Sequence, residues 1–418
     1  MPLCMQLYVD TVVYRVAGTS RSLVPELSAL VRKVNGMTMM LSRARLRLTV
    51  TTLVVGLGLT VAGCGSDSQA AGPATAPTGP LVPTETMNKA QANPLDPYPS
   101  QPGDLRKAVV GQSIPALSFA ALDVAQEMNF FGYLGVQVDY QQLQAGSTML
   151  QAVSSGSVSI GDSASTEIAT AAVKGLPLQA IENTIMMTLQ VCVRKSWADS
   201  HGVNPTSPIE ARVEALKGAK IAITGPGSVS DTIARWLLKK YTKLDPNTDV
   251  SLIQVGGAAS FAPSLDSDRV QAFILSAPNC QQAKEGEVLI QPTEVPTFKN
   301  YTHEVLYVRS DWAKQNSDVT TRVATAVAMG NNFILKHPKE ALQILQKRYA
   351  QVPPDVVEKA FNDNILPNIR ENGAFTEEMW SSTGQVLQEG GFIPKPMDVK
   401  EGAVWTNNYI NVDAAKVY

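Results

Sequence analysis

Histidine and cysteine are scarce in this chain. It holds three histidines (His201, His303 and His337) and four cysteines in 418 residues, with no CxxC pair. A zinc site built on His and Cys is therefore not expected, and neither a metal nor a cofactor is expected. Charge is also low, at 17% of residues, and the formal net charge is −2. What basic excess exists is confined to the start. Residues 1–63 hold Arg15, Arg21, Arg32, Lys33, Arg43, Arg45 and Arg47 against Asp10 and Glu26. This leaves 28 basic and 35 acidic residues from Cys64 onward, a balance of −7. A mildly acidic body argues against nucleic acid as a partner. What remains is ordinary for a soluble globular protein: 44% apolar residues, and length for two or three globular units.

The first hundred residues read as an address. Arg43, Arg45 and Arg47 form a basic start, and Leu48 to Ala62 is an apolar run too short for a comfortable membrane span. It ends in Val61-Ala62-Gly63-Cys64, which resembles the lipobox of bacterial lipoproteins. Small residues there let the peptidase cleft accept the backbone, and Cys64 becomes the lipidated first residue. A plain signal peptide or a signal anchor is the alternative. Residues 37–63 are thus a lipoprotein leader with Met37, Met39 or Met40 as its start, and residues 1–36 are untranslated or unstructured. Residues 64–103, rich in Ala, Pro, Thr, Gly and Ser, cannot bury a core and read as a disordered tether. Anchor, tether and body together describe a protein held at a membrane's outer face.

The body is organised around Gln144 to Thr166. Gly146-Ser147-Thr148 reads as a helix start, Met149, Leu150 and Val153 as its apolar face, and Gly156 as its stop. Val158 to Ile160 reads as a short strand. Gly161-Asp162-Ser163-Ala164-Ser165-Thr166 then turns into a second helix. Helix starts at strand ends present unpaired N–H donors, which suit a small anion or polar ligand. The same hydroxyls equally serve as plain helix caps.

Around this stretch, strands are expected at Lys107–Val110, Val136–Tyr140, Leu178–Ile181, Thr188–Val193, Lys220–Thr224, Val250–Val255, Val270–Leu275 and His303–Val308. Helices are expected at Ala116–Asn129, Thr232–Tyr241 and, toward the end, over 319–336, 338–349, 354–362 and 376–389. This repeated strand–loop–helix order predicts an α/β fold with largely parallel sheets. Leu189 to Val193 and His303 to Val308 match each other, each followed by polar residues and a tryptophan. They suggest two crossovers between lobes. The expected lobes are 104–192 plus 303–418, and 193–302.

The order of motifs resembles a known family. It runs through Val109–Leu117, Phe130–Val138, Gly146–Gly161, Gly175–Leu178, Leu216–Ser228 and Val270–Pro278. Together these resemble the substrate-binding proteins of ABC importers for nitrate, sulfonates, taurine and thiamine-precursor pyrimidines. The resemblance implies a two-lobed periplasmic-binding-protein fold (type 2), a ligand cleft closed by a hinge, and a helical C-terminal part. It places cleft loops at Ser113-Ile114-Pro115, Gly146-Ser147-Thr148 and Ser163-Ala164-Ser165 in the first lobe. In the second lobe it places them at Gly227-Ser228-Val229-Ser230, Gly257-Ala258 and Ser276-Ala277. These loops offer N–H donors and hydroxyls with little fixed charge, so the implied ligand is a small anion or zwitterion.

Other residues are read more plainly. Arg194 and Lys195 follow a crossover and are taken as a solvated hinge face, with a cleft-facing role as the alternative. Cys192 and Cys280 are taken as separate buried thiols, although a disulfide is open to them outside the cytosol. Trp197, Trp236 and Trp312 are taken as packing aromatics, and Asp162 as a capping or turn residue that could otherwise meet a ligand ammonium. The histidines are assigned no role. The functional expectation is a monomeric, non-enzymatic lipoprotein that captures a small solute and passes it to an ABC permease and ATPase. A pyrimidine-forming enzyme on the same fold would need a Cys/His-rich iron site, and a sensor lipoprotein would lack the importer.

Overall fold

The repeated strand–loop–helix units sort into two five-stranded sheets in a computed structural model, which describes Leu81 and residues 95–416. The leader, Cys64 and most of the expected tether lie outside the described residues. The first sheet has the order β2-β1-β3-β10-β4. It is built from β1 (Arg106–Gln112), β2 (Val136–Gln142), β3 (Ile160–Ala164), β4 (Leu178–Met186) and β10 (Thr302–Arg309). The second has the order β7-β6-β8-β5-β9. It is built from β5 (Leu189–Arg194), β6 (Lys220–Ile223), β7 (Ser251–Gln254), β8 (Ala272–Ser276) and β9 (Gly286–Ile290).

Both sheets follow one plan. In the first, β1 pairs parallel with β2 and β3, and β10 runs antiparallel between β3 and β4. In the second, β6 pairs parallel with β7 and β8, and β5 runs antiparallel between β8 and β9. The two antiparallel strands are the matching pair noted in the sequence. Each reaches its sheet from the other one, across Met187-Thr188 and across Tyr301. Met187 N–H donates to the Tyr301 carbonyl at 3.1 Å, so the two crossing segments lie side by side.

The sequence-based lobe boundary at 192/193 therefore falls inside β5, which pairs only with second-sheet strands. The chain crosses before this apolar run rather than after it. Likewise Thr302 already belongs to β10. Both strands read as near-continuous apolar runs because helices cover both sheet faces, and such a run carries no sign of which sheet it joins.

The helices that matter here are α1 (Ala120–Glu127), α2 (Gly146–Ser155), α3 (Ser165–Val173), α4 (Val229–Tyr241), α5 (Ser317–Lys336), α6 (Pro338–Arg348) and α7 (Glu377–Gly390). Gly156 ends α2 at φ +82°, a left-handed cap that favours glycine. Pro338 opens α6, where its missing N–H costs nothing. Helix α7 ties the lobes together. Its Trp380 and Leu387 pack with Met149 and Tyr307 of the first lobe, while Val386 joins the second-lobe core. Glu389 at its end accepts from Trp236 Nε1 of α4 at 2.8 Å.

Two further expectations change. Part of the tether is docked: Leu81 is buried in the first-lobe core, and its carbonyl accepts from Arg322 Nη1 at 3.0 Å and Gln101 Nε2 at 2.8 Å. The Tyr98 ring stands edge-on to Phe130 and Tyr133. The few apolar residues of this Pro/Thr-rich segment are enough to seat it on the first lobe.

Cys192 and Cys280 are also not separate thiols but a disulfide, with Cα atoms 5.5 Å apart. Cys280 lies on the short helix Asn279–Gln282 directly after β8, and β8 is the neighbour of β5, so the turn brings the two together. Closing a loop with a sequence separation of 88 stabilises the second lobe by about 4.6 kcal/mol in the chain-entropy account. Among the described residues no helix is long and apolar enough to cross a membrane.

Candidate functional site

Strand β3 was expected to stop at Ile160, but it runs on through Gly161, Asp162, Ser163 and Ala164, all buried. It is an interior strand, flanked by β1 and β10, and pairing on both sides holds turn-type residues extended. Asp162 is thus a buried strand residue rather than a turn or cap. Its extension delivers Ser163 and Ala164, and then α3, to the edge of the sheet where the chain crosses between lobes.

At that edge lies an inner cavity of about 30 Å³, close to the space needed for one or two waters. Ser113, Ile114, Gly146, Ser163 and Ala164 form its first-lobe wall. From the second lobe, Thr224, Val229, Ser230 and Ser276 face them, with Leu189 and Leu275. Glu167, His303 and Glu304 complete the lining. An outer cavity of about 340 Å³ shares Gly146, Glu167 and Thr224 with it, and adds Ser147, Gly227 and Ser228.

The remaining expected residues line neither cavity. Pro115 lies beside the inner wall, and Thr148 is exposed on α2. Ser165 is buried and donates to the Thr302 carbonyl at 2.6 Å, a structural bond. Ala258 packs in the second-lobe core and Ala277 in the first. Gly257 faces Gln144 Oε1 across the lobes, outside the cavities. Arg194 is turned away: its Nη1 donates to the carbonyls of Leu265 and Asp266.

Glu167, His303 and Glu304 were missed, and they set the electrostatics. The Glu167 carboxylate lies against the first residue of α2. A Cβ on Gly146 would run into that carboxylate, so a larger residue there would have to push Glu167 aside. The helix start expected to hold a ligand anion is thus already faced by the chain's own carboxylate, whose remaining support is the Ser163 hydroxyl, donating at 2.7 Å. Burial pushes Glu167 up to about 7, against that hydrogen bond.

Glu304 is held well above the usual carboxylate range by burial, and further by the charges of Asp162 and Glu167. Ser118 donates to its Oε1 at 3.3 Å, while its Oε2 has no hydrogen-bond partner. Asp162 stands behind, raised by burial, with Thr184 donating to Oδ1 at 3.3 Å. His303 is pushed down to about 3 by burial and is neutral. Its Nδ1 shares a 2.9 Å hydrogen bond with Thr188 Oγ1, which in turn shares one of 2.7 Å with Ser276 Oγ. Its Nε2 faces Glu304 Oε1 at 3.4 Å and has no hydrogen-bond partner.

The second-lobe wall is neutral. Thr224 N–H donates to Ser230 Oγ at 2.9 Å, and Ser230 shares further hydroxyl bonds with Thr224 and Ser228. Asp231 in the first turn of α4 accepts from Gly227 N–H and is paired with Arg235. No lysine or arginine lines the inner cavity; Lys174 stands exposed at the outer one. Among the described residues no three His, Cys, Asp or Glu side chains gather so as to hold a metal ion. The arrangement can enclose a small polar group between two lobes.

The family profile described as NMT1/THI5 like matches residues 117–341, more than half of the chain. YtlA of Bacillus subtilis (strain 168), a proposed binding protein, is 21% identical over 308 residues, covering 70% of this chain and 85% of its own. Among solved structures, the periplasmic nitrate-binding protein NrtA from Synechocystis PCC 6803 superposes with a TM-score of 0.58 at 19% identity. That match covers 74% of this chain and 87% of NrtA. The periplasmic aliphatic sulphonate binding protein SsuA from Escherichia coli superposes at 0.55 and 18% identity, covering 73% of this chain and 99% of SsuA. At these identities the likeness is one of fold: two α/β lobes of the periplasmic-binding-protein type around a cleft.

Proposed function

The chain belongs to the NMT1/THI5 like family, and from that premise we propose that it is a solute-binding protein, without catalytic activity, that feeds an ABC importer. One observation carries the reading: a small, buried, polar cavity lies between two lobes joined by paired crossing segments. That is the geometry of a cleft that closes on a solute by hinge motion. The leader with its Cys64 lipobox supports an extracytoplasmic place, anchored by lipid at Cys64, and the disulfide suits an oxidising compartment.

The resemblance suggests nitrate, alkanesulfonates or taurine as solutes. Within that set the reading favours taurine, whose amine the buried carboxyls could pair with. A pyrimidine would find no stacking ring in the inner cavity beyond the His303 imidazole.

The test is a thermal-shift and tryptophan-fluorescence screen of the lipid-free protein from Gly103 onward, retaining its disulfide. The panel holds nitrate, bicarbonate, alkanesulfonates, taurine, amines and aminopyrimidines. A saturable upward shift in melting temperature with one class is expected. A panel that leaves the melting temperature unmoved throughout would end the binding-protein reading.

A further inference from the structure

We propose that the group recognised in the inner cavity is a small organic ammonium, and that Glu167 and Glu304 are its counter-charges. The proposal rests on the binding-protein reading and names the chemistry of that site.

Three observations point the same way. Glu167 and Glu304 are 8% and 4% exposed and both line the cavity, yet among the described residues their side-chain partners are the hydroxyls of Ser163 and Ser118, besides a 3.4 Å approach of the His303 ring to Glu304. Independently, Glu304 Oε2 and His303 Nε2, on two residues that line this cavity, are buried and have no hydrogen-bond partner. They make an acceptor and a neutral imidazole nitrogen set side by side. Finally, among the described residues no lysine or arginine lines the inner cavity to supply a compensating positive charge. An ionised carboxyl buried in this way is costly until paired. A second anion would add repulsion, whereas an ammonium supplies both the charge and the N–H donors that the vacant lone pairs need.

The form of the cation also follows. Among the described residues no three metal-ligating side chains gather, so a bare metal ion lacks a coordination sphere from them. A volume of about 30 Å³ admits a head group of few atoms, and the rest of the solute extends past Gly146 and Thr224 into the outer cavity. The neutral hydroxyls of Thr224, Ser230 and Ser276 on the second lobe then close over the head group as acceptors.

The experiment compares three solutes with a shared two-carbon core: ethanolamine (cation), taurine (zwitterion) and 2-hydroxyethanesulfonate (anion). Binding is measured by calorimetry on the wild type and on Glu167→Gln and Glu304→Gln, whose folding is checked by their melting curves. Ethanolamine is expected to bind and 2-hydroxyethanesulfonate is not. Each Gln variant is expected to weaken ethanolamine by about ten-fold or more, as loss of a charge-assisted bond does. Should one variant fail to fold, the other carries the comparison.

Binding of the anion that survives Glu167→Gln would overturn the proposal, since the carboxyls would then be protonated donors. Ethanolamine binding unchanged in both variants would also overturn it. If no amine binds while an anion of the wider panel does, the proposal falls and the binding-protein reading stands. If nothing in the wider panel binds, both fall.

Discussion

Two sets of buried carboxyls sit in the same lobe and are treated differently. Asp123 on α1 is fully buried, with Arg348 Nε of α6 at 2.7 Å and the Tyr349 hydroxyl donating at 2.8 Å. Arg348 also reaches Glu127 at 3.2 Å. Burial still raises Asp123 to about 6, but Arg348 and Tyr349 pull against it. Around the cleft, Asp162, Glu167 and Glu304 are buried as deeply and have hydroxyls in place of a guanidinium. Where an acid locks α1 to α6, the chain carries the counter-charge. Where the acids face the cleft, the balance is left to something that enters and leaves.

Removing each side's support should separate the two sets. Arg348→Met strands Asp123 in the core and is expected to cost about 3 kcal/mol or more in urea unfolding. Glu167→Gln and Glu304→Gln replace carboxyls that have no charged partner, so the free protein should stay within about 1 kcal/mol of wild type or gain stability. Equal losses in both places would erase the contrast.

A smaller effect is expected at Gly146. Ala there drives its Cβ into the Glu167 carboxylate, at a cost of about 2 kcal/mol typical of overpacking. Glu167→Ala in the same chain should return much of that loss, so a double-mutant cycle that proves additive would deny the contact.

The smallest effect is on pH dependence. Glu167 moves from an ordinary 4.5 to about 7 in the fold. An acid with a raised folded pKa contributes stability that is full below its unfolded value and is lost as pH rises through the folded one. His303, lowered from 6.5 to about 3, works oppositely, costing stability as pH falls below 6.5. Above pH 6.5 the cost at the histidine fades and returns about 0.4 kcal/mol, less than Glu167 loses, so the carboxyl sets the sign of the slope. Between pH 6.5 and 8 the free protein should lose about 1 kcal/mol through Glu167, near 2 °C in melting temperature. Glu167→Gln should flatten that stretch of the curve. A wild-type curve already flat there would place Glu167 among the satisfied acids.

The architecture was legible because its periodicities are strong. The paired apolar runs at Leu189 and His303 marked both crossings, and the small-residue helix starts marked the cleft edge. The charge of the cleft was not legible. Glu167 reads as an ordinary acid in a helix's first turn, where the dipole welcomes it. Nothing local reveals that it faces the start of a different helix. His303 and Glu304 open an apolar run, and strand alternation would send them to opposite faces. A register shift between Thr302 and Val305 breaks that alternation. The available signal was the presence of ionisable residues at the head of a strand otherwise apolar. The disulfide stayed hidden for a related reason, since Cys280 depends on a turn after β8 rather than on any spacing.

The side-by-side crossing at Met187 and Tyr301 makes the second lobe a cassette inserted at one place in the chain and seated on α7. Every strand of its sheet lies within residues 189–290, and every strand of the first sheet lies outside 188–301. The two ends of the cassette meet across one backbone hydrogen bond. A short turn between 187 and 302 could replace more than a hundred residues and leave the first sheet intact, with its acidic wall open to water. Half the cleft could then be made, titrated and compared with the whole.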